Sequence, residues 1–167
     1  SAYRPCESQG VSSTYQQQER ALQSTSSNPQ ALMLEALKTF IVAQHEQGNV
    51  IILGIDANEN VTNHRFRKCL EDTSLKNPIL ESHGKGPATH QRNTNGIPID
   101  AIFCTAGVTP VVCGYSLTGK ACPSDHVQLW ADFRTHDLFG EEGNELTAPI
   151  PLLSLGQPHL VDQYIQR

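Results

Sequence analysis

The segment Val50-Ile51-Ile52-Leu53-Gly54-Ile55 is apolar without alternation and runs straight into Asp56-Ala57-Asn58. A short run with no polar face predicts a strand buried on both faces, as where helices cover a sheet. Upstream, Asn28 stands as an N-cap and Pro29 as the first helical residue. Met33, Leu37, Phe40 and Ile41, with Leu34 beside them, then mark an amphipathic helix ending near Gly48. A helix that feeds directly into a buried strand predicts an α/β fold.

The rest of the chain fits that class. Residues 7 to 30 are rich in Ser, Gln and Thr and read as a connection with one short helix around Tyr15 to Leu22. A helix is expected from about His64 to Leu70, capped by Thr62 or Asn63, and a polar, glycine-bearing stretch from Glu81 to Asn95, with Thr89-His90 in a short strand. Further strands are expected at Ile99 to Thr105, Pro110 to Tyr115 and His126 to Phe133. From Thr135 the character changes: Gly140-Glu141-Glu142-Gly143-Asn144 reads as a solvated linker, Pro149 to Pro151 as extended, and Pro158 to Arg167 as the start of a helix. Two units follow, 1–134 as the folded part and 135–167 as a linker and the start of another segment. Ala2-Tyr3 reads as the end of a strand, so the expectation is a chain cut from something longer.

Composition narrows the partners. With 12 Lys+Arg against 17 Asp+Glu the net charge is −5, which is poor for gripping a phosphate backbone by bulk charge, so any nucleic-acid contact has to be local. Cys6, Cys69, Cys104, Cys113 and Cys122 are odd in number and form no CxxC, which favours reduced, mostly buried thiols in an intracellular protein over a disulfide framework or a zinc knuckle. No apolar run reaches membrane-spanning length, and no secretory leader pattern is present, so no membrane contact is expected.

Three features bear chemistry. A carboxylate at the carboxyl end of a buried strand points into the crevice where α/β proteins bind ligands, which places Asp56 well. Asn58, two residues on, adds a neutral amide able to hold a phosphate oxygen or orient a base; the plainer reading is that Asp56 caps its own loop and Asn58 sits in an Asx-turn. Asp100 lies among Ile99, Ala101, Ile102 and Phe103, where an unpaired carboxylate would be costly, so it either faces water at an edge or has a partner. His126 is the natural partner, because a carboxylate on one ring nitrogen fixes the tautomer and aims the other nitrogen outward. Asp125, beside it, can serve a hard cation through oxygen, while Ser124-Asp125-His126 taken alone also reads as a turn before a core histidine.

In this order, Tyr3-Arg4-Pro5, Gly54-Ile55-Asp56-Ala57-Asn58, Ile99-Asp100-Ala101-Ile102-Phe103 and Ser124-Asp125-His126 resemble the carboxyl-terminal half of the endonuclease/exonuclease/phosphatase superfamily, which includes apurinic-site endonucleases and pancreatic-type deoxyribonuclease. The likeness spans about residues 1 to 133. Ile55, between Gly54 and Asp56, departs from the family's Gly-Asp-x-Asn. The resemblance implies a partial four-layer α/β sandwich, in which this chain supplies one sheet with its outer helices. It implies that Asp56 activates or orients the attacking water, that Asn58 holds water and phosphate, and that His126, oriented by Asp100, contacts a phosphate oxygen. Tyr3 would be a hydroxyl donor near the phosphate. Asp125 would lie at a divalent-metal site suited to magnesium, with manganese as a substitute. The family's Asn and metal-holding Glu lie on strands before its Tyr-x-Pro and have no match here, so the missing amino-terminal half is an expected partner.

The acidic linker running into Leu160-Val161-Asp162-Gln163-Tyr164-Ile165-Gln166-Arg167, together with Tyr3-Arg4-Pro5-Cys6 and Asp56-Ala57-Asn58-Glu59-Asn60, makes the chain similar to endonuclease regions of retrotransposon-derived polyproteins. DNA is then the substrate, nuclear the setting, and the helix cations Arg65, Arg67 and Lys68, with Lys85 and Arg92 in loops, the local duplex contacts. Those cations equally suit a solvated helix face. Two other functions stay open: a phosphatase of the same fold acting on a small or lipid phosphate, and a non-catalytic remnant or interaction module.

Overall fold

Two parallel strands joined through helices frame the chain. The computed structural model describes residues 1–7, 10–22, 28–84, 86, 88–91, 96–116 and 124–140. In chain order the elements are β1 (Ala2–Tyr3), α1 (Thr14–Ala21), α2 (Pro29–Glu46), β2 (Ile52–Asp56), α3 (His64–Glu71), β3 (Leu75–Lys76), α4 (Pro78–His83), β4 (Asp100–Thr105), β5 (Val112–Ser116), β6 (Gln128–Asp132) and α5 (Thr135–Phe139). The architecture is mixed α/β. Expectations for Lys85, Arg92, Cys122 and everything from Glu141 onward lie outside the described residues.

Asparagine caps set three of the helix starts. Asn28 Oδ1 accepts from the N–H of Gln30 at 2.8 Å, with Pro29 following it; Asn63 Oδ1, rather than Thr62, accepts from Phe66 N–H at 2.8 Å; Asn77 Oδ1 accepts from Leu80 N–H at 3.0 Å, again ahead of a proline. Helix α2 closes at Gln47, and Gly48 follows with φ +79, a conformation that favours glycine.

β1 runs parallel to β2, β2 antiparallel to β4, and β4 antiparallel to β3, giving the order β1-β2-β4-β3. One face of this sheet is covered. Leu53, Ile55, Ala101 and Phe103 are buried against Leu34 and Ile41 of α2 and Phe66 and Leu70 of α3. Phe66 is fully buried, with its ring 6.1 Å from that of Phe103, and its burial contributes about 1.5–3 kcal/mol. Over β2 the opposite face is open, with Ile52 44% exposed and nothing within 4 Å of a Cβ on Gly54, whereas Cys104, paired with Ile52 on the next strand, is fully buried.

That one-sided burial corrects the expectation of a strand buried on both faces. The absence of alternation misled because Ile52 is apolar yet uncovered, and Gly54 offers no side chain to either face. Phe40, counted with the buried stripe of α2, is likewise 59% exposed. The register Gly54↔Ile102, Ile55↔Ala101, Asp56↔Asp100 is unbroken and turns Ile55 into the core.

The described strands make two sheets rather than one. β5 and β6 pair with each other as an antiparallel ribbon. At the start of β4 the N–H groups of Ile99 and Asp100 donate to Thr89 Oγ1 at 2.8 and 2.9 Å, so a threonine hydroxyl stands where a neighbouring strand's carbonyl would. Thr89 in turn accepts Val127 N–H at 2.7 Å through its carbonyl, and His90 forms an isolated antiparallel bridge with His126. Cys104 and Cys113 are buried free thiols and Cys6 is an exposed one. Among the described residues no helix is long and apolar enough to cross a membrane.

Candidate functional site

Strand register brings the site together. Tyr3 lies opposite Asp56, and Asp56 opposite Asp100, so three adjacent strands align these residues in one row. Cross-strand partners project from the same face, and because Ile55 and Ala101, one step along, face the helices, the row belongs to the open face. Tyr3 is 53% exposed there.

His126 completes the row. Its Nδ1 lies 2.9 Å from Asp100 Oδ2 and 3.1 Å from Oδ1. A carboxylate only accepts, so Nδ1 carries the proton, and in the neutral ring Nε2 is left as the lone-pair nitrogen. Burial works to lower the His126 pKa, but the Asp100 hydrogen bond and charge, joined by Asp56 and Asp125, outweigh it and raise the value. Asp56 is also raised. Burial is the main cause, opposed by the Asn58 N–H bond and the charges of His126 and His90 and reinforced by Asp100. One ligand atom from each of Asp56, Asp100 and His126 lies within 4.8 Å of the others.

The loop carrying Asp56 is clamped by Arg4, a residue that sequence reasoning assigned no role. Arg4 N–H donates to Asp56 O at 2.8 Å, its Nη1 donates to Ala57 O at 3.0 Å, and its Nη2 lies 3.3 Å from Glu59 Oε2 and 2.9 Å from Gln30 Oε1. Asn58 Nδ2 returns a 2.7 Å bond to Arg4 O. Asn58 adopts φ 48, a left-handed conformation that asparagine tolerates, and its N–H donates to Asp56 Oδ1 at 3.0 Å, which is the Asx-turn of the plainer sequence reading. The turn and the outward-facing carboxylate coexist. No local signal separates a clamping arginine from a solvated one inside Tyr3-Arg4-Pro5.

His90 is the second residue that escaped assignment. Its Nε2 lies 3.3 Å from Asp125 Oδ2, and its ring meets that of His126 edge-on at 4.8 Å. Burial tends to raise the Asp125 pKa, but its own backbone N–H and the two histidines outweigh this and hold it low. Asp125 therefore joins the cluster through the histidines. The expected strand at Thr89-His90 was the available signal, since a bridging strand there sets His90 beside His126.

The cations on α3 stand elsewhere. Arg65, Arg67 and Lys68 are exposed on a helix whose Phe66 and Leu70 pack on the covered face, the side of the sheet away from Asp56 and Asp100. Arg67 instead borders a cleft of about 530 Å³ shared with Leu70, Leu75, Lys76 and Phe103, which none of the Asp56–His126 cluster lines.

Magnesium takes oxygen ligands, keeps several waters and needs only one or two protein carboxylates. The partly exposed Asp56 and the exposed Asp125 each offer carboxylate oxygens to such an ion, in two separate clusters that share His126. No family model, curated protein or solved structure matches the chain. The reading of its function rests on its own residues.

Proposed function

We propose that this chain is part of a divalent-metal-dependent phosphodiesterase with the four-layer α/β sandwich of deoxyribonucleases and apurinic-site endonucleases, acting on DNA within a retroelement polyprotein in a nuclear setting. The observation that carries the reading is the 2.9 Å contact of His126 Nδ1 with Asp100, set beside Asp56 across one strand pair. An oriented imidazole and a second carboxylate of raised pKa suit phosphate-ester hydrolysis: one group to meet a phosphate oxygen, one to take a proton from water. The uncovered part of the sheet over β1 and β2, with Tyr3 and Ile52 exposed, supports a mate of the kind that the family's amino-terminal half supplies.

On this reading Asp56 removes the proton of the attacking water, and its raised pKa brings it nearer to working pH. Asn58, fixed through Arg4, offers its second amide hydrogen to water or phosphate. His126 faces a phosphate oxygen through Nε2, and Asp100 orients it. Tyr3 lies one strand over as a hydroxyl donor. Asp125 holds magnesium or manganese, which would stabilise charge developing on the phosphate oxygens. Arg65, Arg67 and Lys68 contribute attraction to a duplex from the adjoining layer. Because none of the 167 residues matches the family's Glu, the chain alone is expected to nick DNA weakly.

A net charge of −5 favours a second reading, a phosphatase of the same fold that takes a small or lipid phosphate. The test compares supercoiled plasmid with inositol and nucleotide phosphate esters, using a chain extended upstream through the Asn- and Glu-bearing strands. Magnesium-dependent nicking supports the nuclease. Phosphate release with intact plasmid transfers the reading to the phosphatase.

A further inference from the structure

We propose that His90, Asp125 and His126 form a binding site for a borderline transition-metal ion of the zinc class, separate in chemistry from any magnesium held by carboxylates alone. One ligand atom from each of the three lies within 4.8 Å of the others. Two imidazoles and one carboxylate are the donor set of zinc, cobalt and manganese sites, whereas magnesium prefers oxygen throughout.

The backbone holds the donors in place. His90 and His126 are directly opposed in an antiparallel bridge, flanked by Val127 N–H to Thr89 O at 2.7 Å and Gln91 N–H to Asp125 O at 2.8 Å. Opposed residues of such a bridge project to the same side, which accounts for the edge-on rings at 4.8 Å. Asp125 reaches back to His90 Nε2 at 3.3 Å.

The surroundings are those of a ligating histidine. Asp100 occupies Nδ1 of His126, the carboxylate–histidine arrangement that orients a ring and raises its basicity toward a metal. Ligand atoms around tetrahedral zinc sit about 3.4 Å apart, so small side-chain rotations close the set. Asp125 is 53% exposed and His90 22%, which leaves a path from solvent and room for water in the fourth position. The three carboxylates of Asp56, Asp100 and Asp125 supply an attractive field for a cation. Occupancy would engage both the nitrogen of His126 that the phosphodiesterase reading needs and the Asp125 carboxylate that it gives to magnesium, so the two ions would compete there, yet the site itself stands without that reading.

The test is metal binding by the full chain after chelator treatment and dialysis. Titration with Co²⁺ followed by its visible absorption, and with Zn²⁺ by calorimetry, should give one ion per chain, undisplaced by millimolar magnesium. H90Q and D125N should each weaken binding at least about 10-fold, and D100N about 10–100-fold. H136Q, in α5, should leave it unchanged. Melting of each metal-free variant checks folding, and the exposed D125N carries the test if H90Q unfolds. Unchanged affinity in D125N and in folded H90Q, or a thiolate-to-cobalt charge-transfer band, would overturn the proposal.

Discussion

Asp100 stands directly across the strand pair from Asp56, yet it is His126, 26 residues further along the chain, that it engages, at 2.9 Å. The partly buried Asp100 thus meets a nitrogen donor, whereas the Asp56 carboxylate accepts the N–H of Asn58 at 3.0 Å. Two carboxylates in one row come to differ in their surroundings, and that difference gives the first prediction.

His126 should keep its proton to higher pH than a free imidazole, whose ordinary value is about 6.5. Its folded pKa is raised, so the stability it contributes is fully present below the unfolded value and is lost as pH rises through the folded one. Asp56, also raised, adds stability in the same sense from a lower window, present below the ordinary carboxylate value and lost as pH climbs through the folded one. Ring titration by NMR in chelator, with urea melts across the same range, checks both. Asp100→Asn should move the His126 midpoint down and flatten the pH dependence of stability near neutrality; an unmoved midpoint would show that the hydrogen bond does not form in solution.

Arg4 is 3% exposed and ties β1 to the Asp56 loop through Asp56, Ala57, Asn58 and Glu59. Removing one member of a buried ion pair strands the other, so Arg4→Met should cost about 3–5 kcal/mol in urea unfolding. Arg4→Met together with Glu59→Gln should recover part of that loss. Additive effects of the two substitutions would mean that the pair is not coupled.

Much of the covered half of the fold was legible in the residues. Asn28-Pro29 and Asn63 announced their helices because a cap is a local interaction, and Ile99 to Thr105 and His126 to Phe133 gave strands within a few residues of β4 and β6. α4 carries the same signal in Asn77-Pro78, but six residues show too little periodicity to mark a helix, and its end runs into the polar stretch that starts at Glu81. β3 has two residues and offers none. In the site, Asp56, Asp100 and His126 were readable because a charge in or beside an apolar strand demands a partner. Arg4 and His90 were not, because their roles arise from register between segments more than 30 residues apart.

Arg65, Arg67 and Lys68 are carried by the helix on the side of the sheet away from Asp56 and Asp100, so under the proposed function their effect on DNA should be electrostatic and salt-sensitive. In the upstream-extended chain, replacing all three with alanine should raise KM for duplex several-fold, leave kcat nearly unchanged and flatten the salt dependence. A loss confined to kcat would place these cations in the chemistry instead.

The most direct measurement is magnesium-dependent nicking of supercoiled plasmid by the upstream-extended chain, wild type against His126→Ala, with folding verified by thermal melting. Loss of an oriented group at the phosphate should lower the rate on the order of 10²–10³-fold, while Asp100→Asn, which only misorients the ring, should fall between. Wild-type nicking rates in a folded His126→Ala protein would contradict the account.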